Sequence, residues 1–186
     1  MTSKTPASQI DRTSGVGETV RALDSHTEGE PTRVIVSGGP DLGSGPLAER
    51  RERFRLDHDA FRRAVTLEPR GSEALVGALL VEPSDASCDA GVIYFNNVGY
   101  LGMCGHATIG VVATLAHMGR IGVGPGRLET PVGVVGFDYL GDGRVRFSNV
   151  PCRRLLKDVP VTLDDGRTVR GDVAWGGNWF YVVHEH

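Results

Sequence analysis

The residues best suited to chemistry are Cys104, Gly105 and His106, inside Gly99-Tyr100-Leu101-Gly102-Met103-Cys104-Gly105-His106-Ala107. They open a run, Cys104 to Met118, that reads as a helix closed by Gly119. A helix N-terminus carries partial positive charge and unpaired N–H groups. A cysteine there is expected to titrate below the ~8.5 of a free thiol and to favour thiolate. Gly105 lets a ligand approach the backbone, and the N–H groups of Gly105 and His106 can hold a small carboxylate. One helix end would then bind an anion and present a base beside it. The competing reading is an inert cysteine on a core helix. The glycines at 102 and 105 favour the chemical one.

Other candidates are weaker. Cys104 and His106 form the pair types of a thiol hydrolase, but residues two apart on a helix do not face each other. His26, with Glu28 and Glu30, lies in the polar stretch Asp24 to Pro31 and suits a turn as well as a reaction. His184 and His186 would share a strand face, yet no third ligand accompanies them, so no metal is expected. Cys88 sits in a turn-rich loop and Cys152 follows a strand; both read as structural or incidental. Trp175 and Trp179 are expected to pack rather than to hold a cofactor.

The elements that must position Cys104 are many short strands and two helical runs. Leu47 to Val65 reads as one exposed amphipathic helix, with Leu47, Phe54, Phe61 and Val65 on its stripe and its arginines and acids on a solvated face. The run after Cys104 is apolar all round and so is expected to be buried all round. Strands are expected at Val20–Leu23, Arg33–Ser37, Leu75–Val81, Val92–Phe95, Val132–Leu140, Arg144–Asn149, Val159–Leu163, Thr168–Trp175 and Trp179–Val183. A hairpin is expected around Gly141-Asp142-Gly143. The class is α+β, a mixed or antiparallel sheet wrapped around a buried central helix.

Composition narrows the function. The 186 residues carry net charge −3, with 40% hydrophobic and 23% charged side chains. That is a globular composition without the basic surface of a nucleic-acid binder. No apolar run approaches the ~20 residues of a membrane span. Met1 to Gly17 is polar, reads as a disordered leader and lacks a secretory signal. Three cysteines argue against a disulfide framework and for a reducing, cytoplasmic setting.

Four stretches resemble the proline racemase family, which includes hydroxyproline 2-epimerases and 3-hydroxyproline dehydratases. They are Asp24-Ser25-His26-Thr27-Glu28-Gly29-Glu30-Pro31-Thr32-Arg33-Val34, Glu68-Pro69-Arg70-Gly71 with Val76-Gly77-Ala78, Met103-Cys104-Gly105-His106, and Gly176-Gly177-Asn178-Trp179-Phe180. The resemblance implies a diaminopimelate epimerase-like fold, with two lobes and the active site between them. It implies that Cys104 is one of two opposed catalytic bases, that Gly105 and His106 bind the substrate carboxylate, and that no metal or cofactor takes part. The family's second catalytic segment, of Cys-Gly-Thr-Gly type, has no counterpart here. The expected organisation is therefore a first lobe over residues 18–175 and the start of a second over 176–186, with the site completed by a missing C-terminal lobe or a second chain. A homodimer is a separate expectation.

The implied activity is cofactor-independent 4-hydroxyproline 2-epimerisation. A thiolate removes the weakly acidic Cα proton, and a protonated thiol on the other face returns one with inverted configuration. The fragment alone is expected to be inactive, whereas in the complete protein Cys104 is expected to be the most reactive thiol. A 3-hydroxyproline dehydratase or a proline racemase on the same fold, or a lobe that only binds a small carboxylate, are the alternatives. Val76 bears on the substrate: related proline racemases tend to carry an aromatic there, and hydroxyproline epimerases a smaller residue that leaves space for the hydroxyl.

Overall fold

A computed structural model describes residues 19–183. The leader read over residues 1–17 and the pair His184 and His186 lie outside the described residues. The chain begins with a hairpin of β1 (Arg21–Thr27) and β2 (Glu30–Ser37). Only Glu28 and Gly29 form its turn, both at positive φ (50° and 96°), the geometry that matches the twist of a two-residue hairpin. The stretch Asp24 to Pro31 is therefore largely strand. Its polarity misleads because Asp24 pairs across the ladder with Arg33, whose guanidinium forks onto the carboxylate at 2.7 and 2.8 Å.

The expected single helix over Leu47 to Val65 is two, α1 (Leu47–Asp57) and α2 (Asp59–Thr66), broken at His58. Its arginines are not all solvated. Arg50 and Arg62 are only 8% and 6% exposed. Arg62 pairs with Asp59 at 2.6 Å and donates to the carbonyls of Asn96 and Asn97, each at 2.8 Å. Arg50 donates to the carbonyl of Glu82 at 2.6 Å. Each guanidinium thus ties a helix to the carbonyls of a loop between strands.

The chain continues through β3 (Val76–Val81), β4 (Ala90–Phe95), β5 (Tyr100–Leu101), α3 (Gly105–His117), β6 (Gly124–Thr130), β7 (Gly133–Gly141) and β8 (Arg144–Ser148). Seven of these strands run β1-β2-β3-β4-β6-β7-β8 across the sheet, with β5 paired beside β4. The β2–β3 and β4–β6 pairs are parallel, the rest antiparallel. The sheet curls, and both its edge strands, β1 and β8, pack on α3. Inward residues Val34, Val76, Ala78, Val92, Tyr94 and Leu128 meet Ala107, Val111, Val112 and Leu115 of α3. Outward residues Ile35, Leu79, Ile93 and Phe95 meet Phe54 and Val65 under α1 and α2. Strands buried on both faces read as continuous apolar runs, as β3 and β4 do. This is the α+β arrangement expected, a mixed sheet wrapped around a central helix.

After β8 the chain leaves this sheet. Strands β9 (Arg153–Thr162), β10 (Thr168–Trp175) and β11 (Trp179–Val183) form a second, antiparallel sheet in the order β11-β10-β9. Trp179 is 62% exposed and does not pack the fold, contrary to expectation, whereas Trp175 lies against Met103, Val135 and Val150.

Candidate active site

Cys104 is the N-cap of α3, with extended backbone (φ −142°, ψ 122°). Its carbonyl accepts the first helical hydrogen bond, from Thr108 N at 3.0 Å, and a second from Thr108 Oγ1 at 2.7 Å. The hydroxyl of fully buried Tyr94 lies 2.8 Å from Thr108 Oγ1. Because the threonine proton is committed to Cys104, Tyr94 is the donor. This chain fixes the N-cap from beneath. The N–H groups of Gly105, His106 and Ala107 precede that first bond and have no intrahelical acceptor.

The thiol is half-buried. Burial pushes it above the usual cysteine range, the N–H groups of Ala107 and His106 pull the other way, and Glu30 adds a further push upward. The helix end therefore acts in the expected direction, but the desolvation of a buried thiolate outweighs it. A concrete consequence concerns labelling of the 186-residue chain with iodoacetamide. Exposed Cys152 should react first, Cys104 more slowly and with a rate still rising above the ~8.5 of an ordinary thiol, and buried Cys88, also pushed up by burial, last. Site-resolved mass spectrometry against pH checks that order.

Cys104 Sγ lies 3.6 Å from His106 Nδ1. The two side chains do meet, contrary to the helical-spacing argument, because the N-cap is not a helical residue and its extended backbone folds the thiol over the first turn. His106 Nε2 is buried and has no hydrogen-bond partner among the described residues. The His106 carbonyl accepts from Thr27 Oγ1 at 3.1 Å, which ties the β1–β2 hairpin to the first turn of α3. His26 Nδ1 accepts from Gly29 N at 3.2 Å, so this histidine braces the hairpin turn.

A cavity of about 630 Å³ opens beside the thiol. Cys104 and Gly105 line it from the start of α3; Ala174, Trp175 and Phe180 line it from the second sheet. His106 and Val76 are not on its wall. Val76, 7% exposed, lies in the core cluster against which Cys104 packs. Cys152, read from the sequence as incidental, does line the cavity, and so does Asn178. A strand-edge cysteine carries no sequence signal for this. Asn178 lay in a stretch already singled out, without a role. Among the described residues, no three His, Cys, Asp or Glu side chains gather as a metal site would need, and no helix is long and apolar enough to cross a membrane.

A sequence profile of the proline racemase family matches residues 22–186. The chain belongs to that family. It is 59% identical over 164 residues to a 4-hydroxyproline 2-epimerase from Roseibium aggregatum, covering 88% of this chain and 53% of the relative. Among solved structures it is similar to a probable proline racemase from Agrobacterium radiobacter K84 with bound carbonate, at TM-score 0.82 and 28% identity, covering 89% of this chain and 52% of that one. It is also similar to a hydroxyproline epimerase from Agrobacterium vitis with bound trans-4-hydroxy-L-proline, at TM-score 0.81 and 26% identity, covering 88% and 51%. The chain spans about half the length of the curated relatives it matches.

Proposed function

We propose that this chain supplies one half of a cofactor-independent 4-hydroxyproline 2-epimerase. The observation that carries the proposal is Cys104 at the N-cap of α3, facing a cavity large enough for an imino acid and preceding three N–H groups without helical acceptors. The N–H groups of Gly105 and His106 bind the substrate carboxylate, and Cys104 removes or returns the Cα proton on one face. The bound carboxylate draws charge from the forming carbanion towards the helix end. His106, 3.6 Å from the thiol, orients it. The relatives' names and the hydroxyproline bound in the Agrobacterium vitis structure support this substrate.

The opposing acid comes from a further lobe of the polypeptide or from a second chain. The first lobe, read from the sequence as residues 18–175, is proposed to end earlier, between Ser148 and Arg153, because the chain changes sheet there. Three free cysteines fit a reducing, cytoplasmic setting. Chiral chromatography of trans-4-hydroxy-L-proline tests the reading. Joined to a matching second lobe, the chain should invert Cα; the 186-residue chain alone should not. Dehydration instead of inversion would replace the epimerase by a dehydratase.

One observation favours a second arrangement: Cys152 lines the same cavity as Cys104. It lies in the loop after β8 rather than at the start of a helix. In the chain joined to its second lobe, Cys152→Ser should leave epimerisation within about twofold of the parent; a loss approaching the 10²-fold of a general acid–base group would make Cys152 the opposing acid.

Val76 is proposed to set the room available to the substrate ring from behind Cys104. In the chain joined to its second lobe, Val76→Phe should move the ratio of kcat/KM for hydroxyproline over proline towards proline by about 5- to 150-fold, the worth of one buried hydroxyl left without a partner. An unchanged ratio in a folded variant assigns Val76 to the core alone.

A further inference from the structure

The segment that delivers Cys104 to the helix is held from the other sheet. The Asn178 side chain accepts from Gly102 N at 2.8 Å and donates to the Met103 carbonyl at 2.5 Å. An amide side chain here acts as a piece of strand, pairing with the backbone immediately before the thiol. Asn178 belongs to the turn between β10 and β11, which closes by a Gly176 N to Asn178 O bond of 3.1 Å. That turn is anchored in its own right, since Asn149 Nδ2 donates to the Gly176 carbonyl at 3.0 Å.

The crossing is too close for side chains. A Cβ on Gly102 would lie 2.1 Å from the Gly177 carbonyl oxygen, and one on Gly177 would lie 2.6 Å from Met103 Cβ. Gly177 also has φ +100°, a region that disfavours any residue but glycine. The Met103 side chain is buried against Val135 of β7 and Val150 of the loop after β8, which also holds the same segment.

We propose that Asn178 is a positioning residue: it latches the Gly102-Met103 backbone and thereby sets the depth of Cys104 at the mouth of the cavity. The role rests on the reading of Cys104 as the reacting thiol. Because the latch belongs to the second sheet, displacement of that sheet relative to the first is transmitted to the thiol through two hydrogen bonds.

The test is site-resolved iodoacetamide labelling of the full 186-residue chain at one pH, reported as the rate at Cys104 divided by the rate at buried Cys88. Asn178→Ala should raise this ratio. Two hydrogen bonds of ordinary net strength correspond to about 5- to 150-fold in the opening equilibrium of the segment. Asn178→Asp keeps the acceptor for Gly102 N and loses the donor to Met103, so its ratio should fall between parent and Asn178→Ala. Tyr181→Phe is the control. It removes hydrogen bonds to the Val159 and Val169 carbonyls within the second sheet and should leave the ratio unchanged. A parallel rise at Cys88 and Cys104 in Asn178→Ala, or an equal ratio change in Tyr181→Phe, would reduce Asn178 to a general support of the fold and overturn the proposal. The measurement does not involve hydroxyproline, so an error in the assigned substrate leaves its outcome intact.

Discussion

Cys104→Ser, made in the chain joined to its second lobe, should lower Cα proton exchange on trans-4-hydroxy-L-proline by about 10²- to 10⁴-fold, the contribution of a positioned general acid–base group. A serine hydroxyl has nearly the size of the thiol, so the N-cap and its bonds from Thr108 remain. What is lost is the acidity. The N–H groups of His106 and Ala107 bias a thiol towards its anion; the same bias leaves an alkanol protonated at any pH the fold survives. Loss of the Cα proton signal in D2O, followed by NMR, reads this step without requiring complete inversion. Unfolding curves coincident with the parent would show that the fold is intact. Exchange at the parent rate would remove Cys104 from the reaction.

Phe54→Ala should be the most destabilising single truncation outside the central helix layer, by about 3–5 kcal/mol. For a domain of this size that is a fall in Tm on the order of 10 °C. Phe54 is fully buried on the outer face of the curled sheet. Its ring meets Phe95 and Tyr100 edge-on, with centroids 5.4 and 5.0 Å away, and its carbonyl accepts from the Tyr100 hydroxyl at 3.1 Å. The cavity would therefore open against β4 and β5, the strands that lead directly into Cys104. Labelling of Cys104 should accelerate along with unfolding. Thermal or urea denaturation checks the magnitude; a cost below about 0.5 kcal/mol, the ordinary range for a surface site, would show that α1 and α2 only lean on the sheet.

The fold was legible where periodicity and packing agree. The run from Ala107 to Met118 has almost no polar face, and α3 is enclosed by one sheet. β3 and β4 were equally plain. The reading failed where tertiary partners override local chemistry. No strand was expected over Gly124–Thr130, yet Gly124-Pro125-Gly126 opens β6, where close packing of the Phe137 ring admits only glycine at 126. The charges of Arg50 and Arg62 look solvated until their carbonyl acceptors, more than 30 residues distant, are known. At the site, Cys104 and Gly105 were evident from glycine spacing and a helix start. The thiol's titration was not, because burial has no one-dimensional signature. Nor was the contact with His106, which depends on the extended backbone of the N-cap.

The enclosure of α3 has a kinetic meaning. Its connection between the parallel strands β4 and β6 passes through the concave side of the sheet, and both edge strands, β1 and β8, pack on it. Its amides from Thr108 onward should then exchange with deuterium only when the whole domain opens. The β9–β11 sheet, with Leu155, Leu156, Phe180 and Val182 exposed, should exchange through smaller and more frequent openings. The thiol should thus be mounted on the slower-exchanging of the two bodies, and its latch on the faster.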